Sequence, residues 1–344
     1  MPTTTVLDHS FANATAAVNE VVLDVQGLSV DIATARGPLH AVRDISFTVR
    51  RGETLCLVGE SGCGKSMTSL AIMGLLPKAA KRSARTLSMM GEDLSRAGRS
   101  RINALRGNKM AMIFQEPMTA LNPAYTIGEQ LMEHYIYHRR ASKAQACDRA
   151  IELLEKVGIA SAGQRLGQYP HQLSGGLRQR VMIAMSLMCG PELLIADEPS
   201  TALDVTIQAQ ILRLLADLQA ELGIAMVLIT HDLGVVARIA RNVAVMYAGQ
   251  IVEEGPVHEI FAQPMHPYTE GLMACIPVPG RTLPGGELGT IPGVVPSLVG
   301  DLKGCAFRDR CRYAQPRCAG DIPVRRTPQG QQWRCIKTED GVFA

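Results

Sequence analysis

The chain has 344 residues, a formal charge of +3, 47% hydrophobic residues and 19% charged ones. That length and balance fit an ordinary globular protein with one large domain and a smaller one, and exclude a disordered chain. The charge is too small to imply a nucleic-acid partner, and no apolar run approaches the roughly 20 residues of a spanning helix. Residues 1–20 are polar, rich in Thr and Ala, and lack a basic start followed by an apolar core. They predict a loose extension and no secretory signal. Residues 21–34 and 41–50 alternate apolar and polar, for instance through Val42, Ile45, Phe47 and Val49. They predict two antiparallel strands joined by a turn around Gly37–Pro38.

Residues 54–58, Thr-Leu-Cys-Leu-Val, suit a buried parallel strand. Residues 59–66 then read Gly-Glu-Ser-Gly-Cys-Gly-Lys-Ser. They satisfy the phosphate-loop pattern G-x-x-x-x-G-K-[ST] at every fixed position. Backbone N–H groups of Gly59, Ser61, Gly62, Cys63 and Gly64 would wrap a phosphate chain, as a glycine-rich segment allows. Lys65 would reach the β- and γ-phosphates, and Ser66 would ligate Mg²⁺. A helix starting near Gly64, running on through Met67 to about residue 76, adds its positive dipole end, with Pro77 as its stop.

Residues 85–90 predict an edge strand, and 99–108 a basic, solvated run. Residues 110–114 predict a short buried strand ended by Gln115-Glu-Pro117. From about 116 to 172 the pattern turns helical and interrupts the strand–helix alternation, so it predicts a subdomain mounted on the core. Alternation resumes with helix 175–189, strand 193–196, helix 205–222, strand 225–229, helix 233–240 and strands 243–248 and 250–253. The sum is α/β, a mostly parallel sheet with helices on both faces. After about 264, prolines 264, 267, 277, 279, 284, 292 and 296 predict a boundary and a loop-rich appendage.

Asp197 and Glu198 follow the apolar strand 193–196. Beside a phosphate loop, Asp197 would hold Mg²⁺ and Glu198 would polarise an attacking water as general base. Ser174, Gly175 and Gly176 precede a helical run and form a second anion-binding helix start. The full segment 173–180, Leu-Ser-Gly-Gly-Leu-Arg-Gln-Arg, lies shortly before Asp197.

With these motifs the chain resembles the ATP-binding-cassette (ABC) family of transport ATPases over roughly residues 21–344. The resemblance implies a sandwich dimer in which ATP on one subunit's phosphate loop is closed by the other's Ser174–Gly176 segment. It implies that Gln115 senses the γ-phosphate and contacts Mg²⁺, that residues 201–204 ending at Asp204 cross the dimer interface, and that His231 is the γ-phosphate switch. The family often stacks adenine on an aromatic residue near the first strand. Here residues 28–32, Leu-Ser-Val-Asp-Ile, hold none, leaving Ile32 or His40 to stand there. Non-transport relatives carry two cassettes or a long coiled-coil insert, and this chain has neither.

His266-Pro-Tyr-Thr269, residues 291–298 and residues 305–311 resemble the C-terminal module of one branch, the ATPase subunits of oligopeptide and dipeptide importers. The branch also moves nickel chelates and glutathione. The resemblance implies a paralogous ATPase partner or a homodimer, two membrane-spanning permease subunits, a separate solute-binding protein, and a place on the cytoplasmic face of the inner membrane. It divides the chain into an ATPase domain (21–263) and a module (264–344).

Nine cysteines are an odd number without a signal peptide, which argues against a disulfide framework. Cys56, Cys147, Cys189 and Cys275 read as small buried residues. Cys305, Cys311, Cys318 and Cys335 stand as C-x5-C-x6-C-x16-C, a spacing open to zinc, an iron–sulfur cluster or free thiols. The branch resemblance implies a [4Fe–4S] cluster. Nine Lys/Arg against four Asp/Glu in 303–344 suit such an anionic site, and equally a solvated basic face.

Overall fold

A computed structural model describes residues 20–116, 120–200, 203–276, 289–300 and 302–343. The expected extension before residue 20 lies outside them. Strands β1 (Val21–Thr34) and β2 (Gly37–Arg50) form one long hairpin paired from Val21↔Arg50 to Thr34↔Gly37. The turn is therefore Ala35–Arg36, not Gly37–Pro38. The Thr34 hydroxyl donates to the Gly37 carbonyl at 2.6 Å and accepts the Arg36 N–H at 3.3 Å, closing a two-residue loop. Gly37 supplies the left-handed geometry, with φ 113°.

Strand β3 (Thr54–Val58) is buried throughout. Its side chains alternate: Leu55 and Leu57 enter the core under the β1–β2 hairpin, while Cys56 and Val58 enter the core on the helical side. Helix α1 (Lys65–Met73) ends at Gly74 rather than before Pro77, because Gly74 takes the left-handed cap conformation, φ 65°. Strands β4 (Ala80–Ser83), β5 (Thr86–Met89) and β6 (Glu92–Asp93) complete an antiparallel sheet with the hairpin. Helix α2 (Arg99–Leu105) turns Ile102 and Leu105 inward and leaves Arg99 and Arg101 at the surface.

After β7 (Met110–Ile113) come α3 (Ile127–Arg139), α4 (Lys143–Lys156) and the short α5 (Ala162–Arg165). Capping boxes at Thr126/Glu129 and Ser142/Gln145 start α3 and α4. The core then resumes with α6 (Gly175–Leu187), β8 (Leu193–Asp197), α7 (Val205–Leu222), β9 (Ala225–Thr230), α8 (Leu233–Ile239), β10 (Asn242–Tyr247) and β11 (Gln250–Pro256). Two helices, α9 (Val257–Ala262) and α10 (Pro267–Ala274), and strands β12 (Val324–Arg326) and β13 (Gln332–Arg334) follow.

The main sheet runs β12-β13-β11-β10-β3-β9-β8-β7, parallel from β10 to β7 and antiparallel at the other end. The tail is thus more than a loop-rich appendage. Glu253 and Glu254 on the outer edge of β11 pair with Trp333 and Gln332 of β13, which covers backbone groups otherwise left unpaired. Trp333, 1% exposed, anchors that edge. Pro267 does not break a helix but begins one, at the first-turn position where proline needs no N–H partner. Prolines 277, 279 and 284 lie outside the described residues. Cys56 and Cys189 are buried as expected, whereas Cys147 and Cys275 are only half-buried; Cys63, in the phosphate loop, is buried too. No helix among the described residues is long and apolar enough to cross a membrane.

Candidate nucleotide site

Two glycines of the loop after β3 stand where neighbouring backbone leaves no room for a side chain, and Gly62 has open space but a positive φ. A Cβ on Gly59 would lie 2.1 Å from the Met246 carbonyl oxygen, and one on Gly64 2.4 Å from that of Ala41. Gly59, Gly62 and Gly64 all have positive φ, at 153°, 77° and 107°. Lys65 is 4% exposed, and its Nζ donates to the carbonyls of Gly59 (2.7 Å) and Glu60 (3.0 Å). Ser61 is exposed, Met67 packs partly into the core beneath the hairpin, and Cys63 is fully buried. Burial pushes the Cys63 thiol up, so this cysteine serves the loop through its backbone rather than as a nucleophile.

Ser66 Oγ donates to Asp197 Oδ1 at 3.1 Å, and Ser69 Oγ reaches Asp197 Oδ2 at 3.5 Å. Asp197 ends β8 and is 4% exposed. Burial pushes its carboxyl up, and the Ser66 hydroxyl pulls it partly back. A hydroxyl and a buried carboxylate side by side are donors that suit Mg²⁺, which takes one or two protein oxygens and completes its shell with phosphates and water.

Glu198 stands one residue beyond β8 with φ 45°, a strained setting for a non-glycine residue of the kind that gathers at functional sites. Its Oε2 accepts from Gln115 Nε2 at 3.3 Å and faces His231 Nδ1 at 3.6 Å. Gln115, Glu198 and His231 lie just past the C-terminal ends of the adjacent strands β7, β8 and β9. That is where open parallel sheets hold ligands. Glu198 is largely enclosed and His231 is 60% exposed.

Ser174 caps α6, accepting the Leu177 N–H at 3.4 Å. Among the described residues no hydrogen bond joins Ser174–Gly176 to the loop at 59–66. The segment instead approaches the start of α7: a Cβ on Gly176 would lie 3.2 Å from Ile207. Asp204 caps α7 through the Ile207 N–H at 3.0 Å and is exposed, as is Val205 at 82%. Thr201 and Ala202 lie outside the described residues. The chain thus brings together the loop, Asp197, Glu198, Gln115 and His231, and holds Ser174–Gly176 with Asp204 as a separate exposed group. At the position of the missing aromatic, His40 Nδ1 pairs with Asp31 at 2.6 Å beside a half-buried Ile32.

Sequence reasoning missed Glu60 and its partners. The Glu60 N–H donates to Tyr268 Oη at 2.8 Å. Arg310 Nη1 meets both Glu60 carboxylate oxygens, at 3.1 and 3.0 Å, and Tyr247 Oη at 3.3 Å. The rings of Tyr247, Tyr268 and Phe307 pack around it with centroids 4.6 to 5.4 Å apart. No spacing rule links residues 60 and 310, and Arg310 sits unmarked in a basic run.

Cys305, Cys311, Cys318 and Cys335 line one small apolar cavity with His266 and Phe307. The Cys305 N–H bonds to the Cys318 carbonyl at 2.8 Å. Burial first, and the neighbouring thiols after it, push Cys305 up to about 11, and burial likewise raises Cys311 and Cys335. The four thiols thus converge, as soft donors for a metal group should. As placed, though, no group of three or more His, Cys, Asp or Glu among the described residues is arranged to hold a metal ion.

Residues 42–201 match the family model described as ABC transporter, and residues 252–318 match that described as oligopeptide/dipeptide transporter, C-terminal region. The chain is 49% identical over 330 residues to a putative peptide import ATP-binding protein of Brucella melitensis, covering 93% of this chain and 98% of that one. It is 48% identical over 315 residues to the dipeptide transport ATP-binding protein DppD of Escherichia coli, covering 91% and 96%. Its fold matches the ATP-binding cassette MJ0796, solved as a dimer in a post-hydrolysis state with ADP and Pi, with TM-score 0.61 and 25% identity over 68% of this chain and 98% of that one. Two family models and relatives 48–49% identical over nine-tenths of the chain agree with the geometry of the site: the chain belongs to the ABC transporter family, as an ATPase subunit that carries the C-terminal region of its oligopeptide/dipeptide branch.

Proposed function

We propose that this subunit hydrolyses ATP to drive import of dipeptides, oligopeptides or related small solutes through separate membrane subunits. The observation that carries the reading is the meeting of Gln115 and His231 on Glu198, next to the Ser66–Asp197 pair. Glu198 accepts the proton of the attacking water, with Gln115 orienting the carboxylate. His231 donates toward the γ-phosphate, and Lys65 with the loop N–H groups holds the β- and γ-phosphates. Ser66, Asp197 and Gln115 would hold Mg²⁺, which neutralises charge on the transferred phosphoryl group.

Ser174–Gly176 and Asp204 complete the site of a second ATPase subunit, either a paralogue or another copy of this chain. Ser174, Gly175 and Asp204 are exposed, and no hydrogen bond among the described residues ties the segment to the chain's own loop, which supports that role. The helical insert, about 116–172, grips two permease subunits at the cytoplasmic face of the inner membrane, and a separate binding protein delivers the solute. The division into an ATPase domain to residue 263 and a module from 264 is functional rather than spatial, since β13 joins the ATPase sheet. The four cysteines of the module would hold a [4Fe–4S] cluster. Their position on one cavity supports this, and bound iron would offset the charge of the four deprotonated sulfurs.

Uptake of a labelled dipeptide by cells that depend on this subunit tests the reading. Uptake should be lost on deletion and restored by the wild-type chain. Normal dipeptide uptake in the deletion strain, with loss of uptake of a nickel chelate instead, would move the substrate assignment to another solute of the branch.

A further inference from the structure

The phosphate loop carries an acid of its own, Glu60, in a place where a polyanion must bind. Its charge is answered from the far end of the chain. The Arg310 side chain is 5% exposed, and it meets both Glu60 oxygens. Its remaining donors reach the carbonyls of Pro292 (2.9 Å) and Ile291 (3.1 Å). The Tyr247 and Phe307 rings flank the guanidinium at 5.7 and 5.8 Å. Arg310 lies on the short turn Arg308–Arg310 between two cavity cysteines. Arg308 N–H bonds to the Cys305 carbonyl, and Cys311 N–H to the Arg308 carbonyl. The tail therefore positions Arg310, and Arg310 positions Glu60.

We propose that Arg310 is a positioning residue for ATP, acting through Glu60. It neutralises the loop's carboxylate and holds it away from the incoming phosphates. The Tyr268 hydroxyl fixes the Glu60 backbone at the same point. Without Arg310 a partly buried carboxylate loses its partner beside a polyanionic ligand, and ATP affinity falls. The idea rests on residues 59–66 holding ATP, which Lys65→Ala tests separately.

A two-residue cycle in the full-length protein tests it, with KM for ATP and kcat read separately. Arg310→Ala should raise KM about tenfold and leave kcat within about twofold, the pattern of lost ground-state binding. In a Glu60→Gln background the same Arg310→Ala change should move KM less than twofold, because no charge remains to neutralise. Arg310→Lys, which keeps the charge but loses the fork, should raise KM about threefold, and Glu60→Gln should likewise abolish that rise. It supplies the cycle if Arg310→Ala does not fold. An unchanged KM in the single variants would overturn the proposal. So would an equal rise in both backgrounds, which is what a purely structural support of the tail would give.

Discussion

Ser66 Oγ lies 3.1 Å from Asp197 Oδ1, joining a loop hydroxyl to a strand-end acid 131 residues later in the chain. The pairing exists because β3 and β8 flank β9 in one parallel sheet and end at the same side. Ser66 and the buried Asp197 would supply protein oxygens to Mg²⁺, whose remaining ligands would be phosphates and water.

Lys65→Ala should abolish ATP binding. The ammonium is buried among loop carbonyls, so no neighbouring side chain replaces it. A loss of at least about 100-fold in affinity is expected for a charge-assisted contact to phosphate. Equilibrium binding of a fluorescent ATP analogue measures it, and affinity within about threefold of wild type would remove Lys65 from the site.

Ser174→Arg should leave ATP binding near normal while cutting turnover at least about 100-fold. Among the described residues Ser174 makes no hydrogen bond to its own subunit's loop, so the proposed effect would come through a second subunit. Wild-type activity per subunit should also rise with protein concentration. An activity independent of concentration, together with an active Ser174→Arg protein, would argue for a complete site within one chain.

Anaerobically purified protein should hold about four irons per chain with broad visible absorption, as expected for a cluster on four thiolates. Cys318→Ser should lose most of both. Iron-free, colourless protein of full activity would remove the cluster from this account.

His266 is buried, with Nδ1 accepting the Tyr268 N–H at 3.1 Å and no partner for Nε2 among the described residues. Burial, and Lys337 after it, pull the imidazole down to about 3 from an ordinary 6.5. The folded state thus holds the neutral form while the unfolded state takes up a proton. Its stabilising contribution is present above pH 6.5 and is lost as pH falls from there toward 3. His266→Asn keeps a helix-capping acceptor without the titration. The variant should be less stable than wild type at pH 7.5, and the gap should narrow by on the order of 1 kcal/mol at pH 5. Urea unfolding at both pH values reads this, and a gap that widens in acid would contradict it.

What sequence reveals here is local and periodic. The phosphate loop, the β3 strand before it and the acid pair after 193–196 each carry a short signature with a mechanical reason. The resemblance then supplied Gln115 and His231, and the structure brings both to Glu198. The two strands of the loop-rich tail are not legible in the sequence because β12 and β13 have three residues each, too few for any alternation, and owe their strand form to the open edge of β11. Pro267 looked like a breaker because the same residue that interrupts a helix interior is favoured at its first turn. Arg310 was invisible because its partner lies 250 residues away, a contact made by packing alone.

Glu198→Gln tests the central claim most directly, because it keeps the side-chain shape and removes only the base. ATP affinity and steady-state hydrolysis should be measured on the same preparation. The account predicts affinity within about threefold of wild type and turnover reduced by about 10²–10⁴-fold. Near-normal hydrolysis by the variant would contradict it.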